Sequence, residues 1–128
     1  MDSQNEQRRV FHNTEACPIR NVVAQIGDKW SVLILFALVD GEDRFNSLKS
    51  RIVGISQRML TQTLRDLERD GFVSRTVYAE VPVRVEYALT DLGRGLVAPL
   101  YQLVSWADNH HDVINAARKQ YDDEKSER

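Results

Sequence analysis

Ser56, Gln57, Arg58, Thr61, Gln62 and Arg65 put hydroxyl, amide and guanidinium groups within ten residues of one another. Side chains of this kind read nucleic acid. An arginine forks onto the two acceptors of guanine and a glutamine bonds adenine at two atoms, whereas hydroxyls and cations anchor phosphate without reading sequence. At about 100° per residue, Arg58, Thr61, Gln62, Arg65 and Arg69 fall on one side of a helix and Leu60, Leu64 and Leu67 on another. The spacing predicts a helix from Gln57 to Asp70, capped by Ser56, with an apolar face turned inward and a long basic face turned outward. A helix in the major groove reads bases with its first turns while the helix before it braces on the backbone. By that geometry Gln57, Arg58, Thr61 and Gln62 are candidates for base contacts, and Ser56, Arg65, Lys49 and Arg51 for phosphate.

Other reactive side chains are few. Cys17 is the only cysteine, so no internal disulfide can form. The histidines, His12, His110 and His111, show no zinc-type spacing with it, and neither a metal nor a cofactor is expected. Catalysis with Cys17 as nucleophile would need a neighbouring base, and no oxyanion-hole or cofactor motif accompanies it, so an enzyme is not expected. Cys17 precedes Pro18, which suits the first position of a helix, and so stands at a helix N-cap. The positive end of a helix favours a thiolate, and Arg20 adds to that field, which makes Cys17 a candidate redox sensor. Equally, it can be a small capping residue with no redox role.

The elements that must hold these groups follow from periodicity and punctuation. Ile19, Val22, Val23 and Ile26 mark one face of a short first helix that ends at Gly27. Asp28 caps a second helix, about Lys29 to Val39, whose expected buried residues are Trp30, Leu33, Ile34, Ala37 and Leu38. Asp43-Arg44 is a short strand candidate, and a third helix from about Asn46 to Ile52 turns Phe45, Leu48 and Ile52 inward. After a tight turn at Gly54-Ile55 and the polar-faced helix, two alternating strands, Phe72 to Ala79 and Val83 to Leu89, form a hairpin around Glu80-Val81-Pro82. Arg75, Arg84 and Tyr78 sit on that hairpin, where they would meet the DNA backbone or minor groove. Thr90-Asp91 caps a last helix with Leu92, Leu96, Leu100, Leu103, Trp106 and Ala107 along one side, and Pro99 should kink it. This order describes a mainly α fold with a small antiparallel β-hairpin: a winged helix-turn-helix with about five to six helices.

At 128 residues the chain has length for one modest core. Residues 1–14 are expected to form a flexible arm, 15–118 the winged helix-turn-helix with dimerisation helices at both ends, and 119–128 a flexible charged tail. No signal peptide and no membrane span is apparent, so a cytoplasmic location is expected. The formal net charge of −2 argues against a polyanion as partner. Its distribution argues the other way. From Arg44 to Arg84 there are eight basic and four acidic residues, a local excess of +4, and phosphate responds to the field within about 8–10 Å.

At these positions the chain resembles the HxlR family of bacterial winged-helix transcription regulators. The resemblance runs through Cys17-Pro18, Lys29-Trp30, Arg44-Phe45, Gly54-Ile55-Ser56, Leu60-Thr61, Leu64, Leu67-Glu68, Asp70-Gly71, Arg75, Pro82, Val85-Glu86-Tyr87, Leu89-Thr90, Gly93 and Trp106. Asp28 stands where the family commonly has glycine, a change that a good capping residue makes harmless. The resemblance implies a homodimeric repressor or activator on an inverted-repeat operator, dimerising through its first and last helices, with some members sensing oxidants or electrophiles at the position of Cys17. The apolar side of the last helix supports a dimer independently, because Leu96, Leu100, Leu103, Val104 and Trp106 exceed what one small domain can cover. Ile19, Val22, Val23, Leu96, Leu100, Leu103 and Trp106 are the interface candidates, although the same surface can pack on Trp30 within one chain. Two alternatives stand beside this reading. One is a ligand-gated regulator of the same fold, with a small-molecule effector held by Trp30, Tyr101 and Trp106. The other is a winged-helix protein-interaction module without DNA binding.

Overall fold

The computed structural model describes residues 22–24 and 26–126. Two compact units can be told apart, one ending at Arg94 and the other beginning at Gly95. The arm expected over residues 1–14, the Cys17 cap, Ile19 and Arg20 lie outside the described residues.

Residues 22–24 and 26 are helical and lead into α1, Lys29–Ala37. Asp28 caps α1, its carboxylate accepting from the Trp30 N–H at 3.0 Å. Here the buried face differs from the sequence expectation. Ser31, Ile34 and Leu35 are buried with Leu38 just beyond, whereas Leu33 is 43% exposed and Trp30 and Ala37 are half-buried. The segment Val32-Leu33-Ile34-Leu35-Phe36 is apolar on every side, so periodicity carries no information about which side faces the core.

Strand β1, Asp43–Arg44, runs directly into α2, Phe45–Arg51, which begins one residue earlier than the spacing suggests and buries Leu48 completely. Gly54, at φ +87°, supplies the left-handed turn that lets α3, Gln57–Arg69, leave at a new angle. Leu60, Leu64 and Leu67 are buried as expected, each worth roughly 1.5–3 kcal/mol of transfer free energy. Thr63 is also buried, and its hydroxyl donates to the Met59 carbonyl at 2.7 Å, so that hydroxyl is not stranded. The helix ends in a Schellman motif: Gly71, at φ +84°, donates to Glu68 and Phe72 donates to Leu67 at 2.9 Å.

The chain then forms β2, Val73–Tyr78, and β3, Arg84–Leu89, antiparallel and in register from Val73 opposite Leu89 to Tyr78 opposite Arg84. β1 pairs with the other edge of β3, giving the order β1-β3-β2. Thr90 starts α4, Asp91–Ser126. Its hydroxyl oxygen accepts from Gly93 N–H at 3.1 Å and donates to the Gly71 carbonyl at 2.5 Å, tying the start of α4 to the end of α3. α4 continues through Pro99, and residues 119–126, expected as a charged tail, are its last turns.

Candidate nucleic-acid interface

Because leucines 60, 64 and 67 fix which side of α3 is buried, the opposite side is set for solvent. Ser56 Oγ accepts from Met59 N–H at 3.0 Å and so holds the first turn in place. Gln57, Arg58, Thr61, Gln62 and Arg65 line one open depression along this outward side. The five candidates that the spacing placed on α3 beyond Ser56 are thus together on one surface. All but the half-buried Thr61 are exposed.

These side chains are not equally free to act. Thr61 donates its hydroxyl proton to the Gln57 carbonyl at 2.8 Å, so what it offers outward is a methyl group and oxygen lone pairs. Gln62 Nε2 donates to Asp66 Oδ1 at 3.1 Å, which leaves its amide oxygen as the open acceptor. Arg58 and Arg65 form no ion pair among the described residues and present full guanidinium forks. Lys49, on the last turn of α2, and Arg75, on β2, are likewise exposed and without an ion pair among the described residues.

Two cations named from spacing are engaged by acidic partners within the chain. Arg51 Nη1 donates to Asp43 at 2.6 Å and its Nη2 to the Ala37 carbonyl at 3.0 Å, joining α1, β1 and α2. Asp43 also accepts from Ser47 at 2.9 Å and from Arg44 N–H at 2.8 Å. Partial burial opposes ionisation of this carboxyl, but the bonds from Arg51, Ser47 and Arg44 and the arginine charge outweigh it and hold its pKa below 3.8. Asp43 is therefore a hub that the sequence reading missed. Its signal was present in the four-residue spacing of Asp43, Ser47 and Arg51.

Arg84 is the second engaged cation. Its guanidinium donates to Glu80 at 3.1 Å and Glu86 at 3.2 Å and lies 3.9 Å from the centre of the Tyr78 ring. A half-buried arginine shared between two carboxylates and an aromatic face stiffens the wing rather than offering a charge to solvent. Beyond it the hairpin tip is apolar, with Val81 and Val83 exposed.

The unit that begins at Gly95 exposes Tyr101, Leu103, Val104, Trp106, Val113 and Tyr121, while Leu100 is buried and Leu96 half-buried. Trp106 stacks on His110 with ring centroids 4.4 Å apart. Val22 and Val23, named with these as interface candidates, are exposed. Among the described residues no three His, Cys, Asp or Glu side chains are gathered to hold a metal, and no helix is long and apolar enough to cross a membrane.

Comparison with known proteins places the fold in a family. A family model described as HxlR-like helix-turn-helix matches residues 25–115. The HTH-type transcriptional regulator YybR of Bacillus subtilis is 40% identical over 114 residues, spanning 89% of this chain and 91% of the relative. The solved structure of a transcriptional regulator, ytfH of Salmonella typhimurium, superposes with a TM-score of 0.73 at 41% identity, over 82% of this chain and 94% of that one. The reduced form of the redox regulator HypR matches with a TM-score of 0.71 at 40% identity, over 77% of this chain and 98% of that one.

Proposed function

The chain belongs to the HxlR-like helix-turn-helix family and is a DNA-binding transcriptional regulator, and on that premise we propose that it is a homodimeric repressor of an inverted-repeat operator. The observation that carries the proposal is the outward side of α3, where Arg58 and Arg65 stand unpaired among the described residues beside Gln57, Thr61 and Gln62. α3 enters the major groove. Gln57, Arg58, Thr61 and Gln62 meet base edges, and Ser56, Arg65 and Lys49 meet phosphate. Arg75 lies on the wing and contacts the flanking backbone, while Arg51 and Arg84 support α2 and the hairpin from within. Two such heads, held roughly 34 Å apart by the exposed apolar side chains of the last helix and by Val22 and Val23, match half-sites one turn of B-DNA apart.

Selection of bound duplexes from a random pool, followed by affinity measurements across salt concentrations, tests this reading. An inverted repeat with half-site centres about 10 base pairs apart and a steep negative salt slope is expected. Recovery of no preferred sequence, or binding indifferent to salt, would contradict it.

A second reading, favoured by the similarity to a redox regulator, places the inducing event at Cys17. Oxidation or electrophile addition at this thiol changes the separation of the two reading heads. The rate of Cys17 alkylation by iodoacetamide should then titrate below the ordinary thiol pKa of about 8.5. Diamide should weaken operator binding by the wild type and leave Cys17→Ser unaffected. Equal affinity with and without diamide would remove the switch.

A further inference from the structure

We propose that Arg44 is a phosphate anchor at the base of the wing, in the role that spacing alone assigns to Arg84. The inference rests on the reading of the chain as an operator-binding regulator and adds a residue to that contact surface. The register of the sheet carries it. Arg44 on β1 stands directly opposite Glu86 on β3, the cross-strand position from which a carboxylate would neutralise it. That carboxylate binds Arg84 instead: Glu86 Oε1 accepts from Arg84 Nη1 at 3.2 Å, and the Arg84 guanidinium also donates to Glu80 and lies over the Tyr78 ring, while its buried Nε has no partner among the described residues. Arg84 therefore absorbs the acidity of the wing base. Arg44 is left exposed, with no ion pair among the described residues.

Arg44 also has somewhere to hold a ligand. A largely apolar crevice of about 400 Å³ lies between the start of α2 and the start of β3, lined by Arg44, Phe45, Asn46 and Ser47 and by Val83, Arg84 and Val85, with Arg44 and Asn46 at its polar rim. The guanidinium of Arg44 and the exposed amide of Asn46 are donors suited to the two free oxygens of a phosphodiester. The helix preceding a reading helix is the one that crosses the DNA backbone, and the crevice opens beside its first turn. Counting Arg44, Arg84, Glu80 and Glu86 together, the wing base is neutral. The contact is consequently a fork onto one phosphate and not the pull of a broad basic patch.

The test uses the full-length chain and its selected operator, with affinity measured by fluorescence anisotropy from about 50 to 200 mM salt. Arg44→Ala should weaken binding about tenfold, equally on operator and unrelated duplex, and reduce the log–log salt slope by about 0.9 per subunit bound. Arg44→Gln, which keeps a long polar side chain, should lose the same slope, and Arg44→Lys should retain it. Arg84→Ala should leave the slope unchanged and lower the melting temperature instead. A wild-type slope in both charge-removing variants, or a slope lost in Arg84→Ala, would overturn the assignment to Arg44. If Arg58→Ala abolished discrimination while Arg44→Ala changed nothing, the regulator reading would stand and this anchor alone would fall. Salt-insensitive binding by the wild type would remove both.

Discussion

Three small residues decide where the outward side of α3 points. Ser56 fixes the first turn of α3, Gly71 stops it with a left-handed residue, and Gly93 lets the start of α4 close over Phe72. A Cβ on Gly93 would lie 2.2 Å from the Phe72 carbonyl oxygen, a backbone atom with nowhere to retreat. Gly93→Ala should cost about 2 kcal/mol or more in a urea unfolding experiment, and an unchanged midpoint would show that this junction yields. Ser56→Ala should cost about 1 kcal/mol by freeing the Met59 N–H, with weaker operator binding as the α3 start frays. At the contact surface, Arg58→Ala should relax base preference at one position of each half-site, at about 1–3 kcal/mol of lost discrimination. Lys49→Ala should instead weaken all sequences alike. The reverse pattern in a competition assay would place the reading elsewhere on the protein.

Among the elements, α2 is held by a hub and not by capping, since Arg44 at its N-cap position makes no side-chain cap bond. Asp43 joins Ser47 and Arg51, and Arg51 reaches on to the last turn of α1. Because the folded carboxyl ionises below 3.8, its contribution is fully present above that value and is lost as pH falls through the lower, folded pKa. Asp43→Asn should be less stable than wild type by about 1 kcal/mol at both pH 7 and pH 5, a figure kept small because Arg51 is partly in solvent. The gap should close only in stronger acid, when the wild-type carboxyl is itself neutral. A gap that widened on acidification would mean that the hub does not favour the charged form. The same scale shows what could be read in advance. α3 was legible because cap, leucine spacing and terminal glycine agreed, and the hairpin because its alternation did. The buried side of α1 was not, since its apolar residues surround the helix. Arg51 and Arg84, expected at phosphate and on the wing, form ion pairs within the chain; the four-residue spacing of Asp43, Ser47 and Arg51 signalled the first, whereas packing that spacing does not encode draws Arg84 over Tyr78. The helical end of α4 was hidden by its polarity, yet residues four apart support it, with Gln120 bonded to Glu124 at 3.3 Å and Lys125 over Tyr121.

For the molecule as a whole, a net charge of −2 conceals a segment of +4 that contains α3 and the hairpin, so bulk pI is a poor guide to the partner. The unit from Gly95 carries exposed Leu103, Trp106 and Val113, side chains that a second copy of the chain would cover. Leu103→Asp should shift the protein toward monomer in sedimentation and lower operator affinity without reducing helix content. A dimer unaffected by that change would exclude this surface. The central claim, that the outward side of α3 is the surface that meets DNA, is tested most directly by the salt dependence of operator affinity in wild type and in Arg58→Ala/Arg65→Ala. The account predicts a steep slope for the wild type, and for the double variant a slope shallower by about 0.9 per subunit, from the phosphate contact of Arg65, together with loss of preference for the operator over unrelated duplex as Arg58 no longer reads bases. Equal slopes and undiminished preference in the double variant would contradict it.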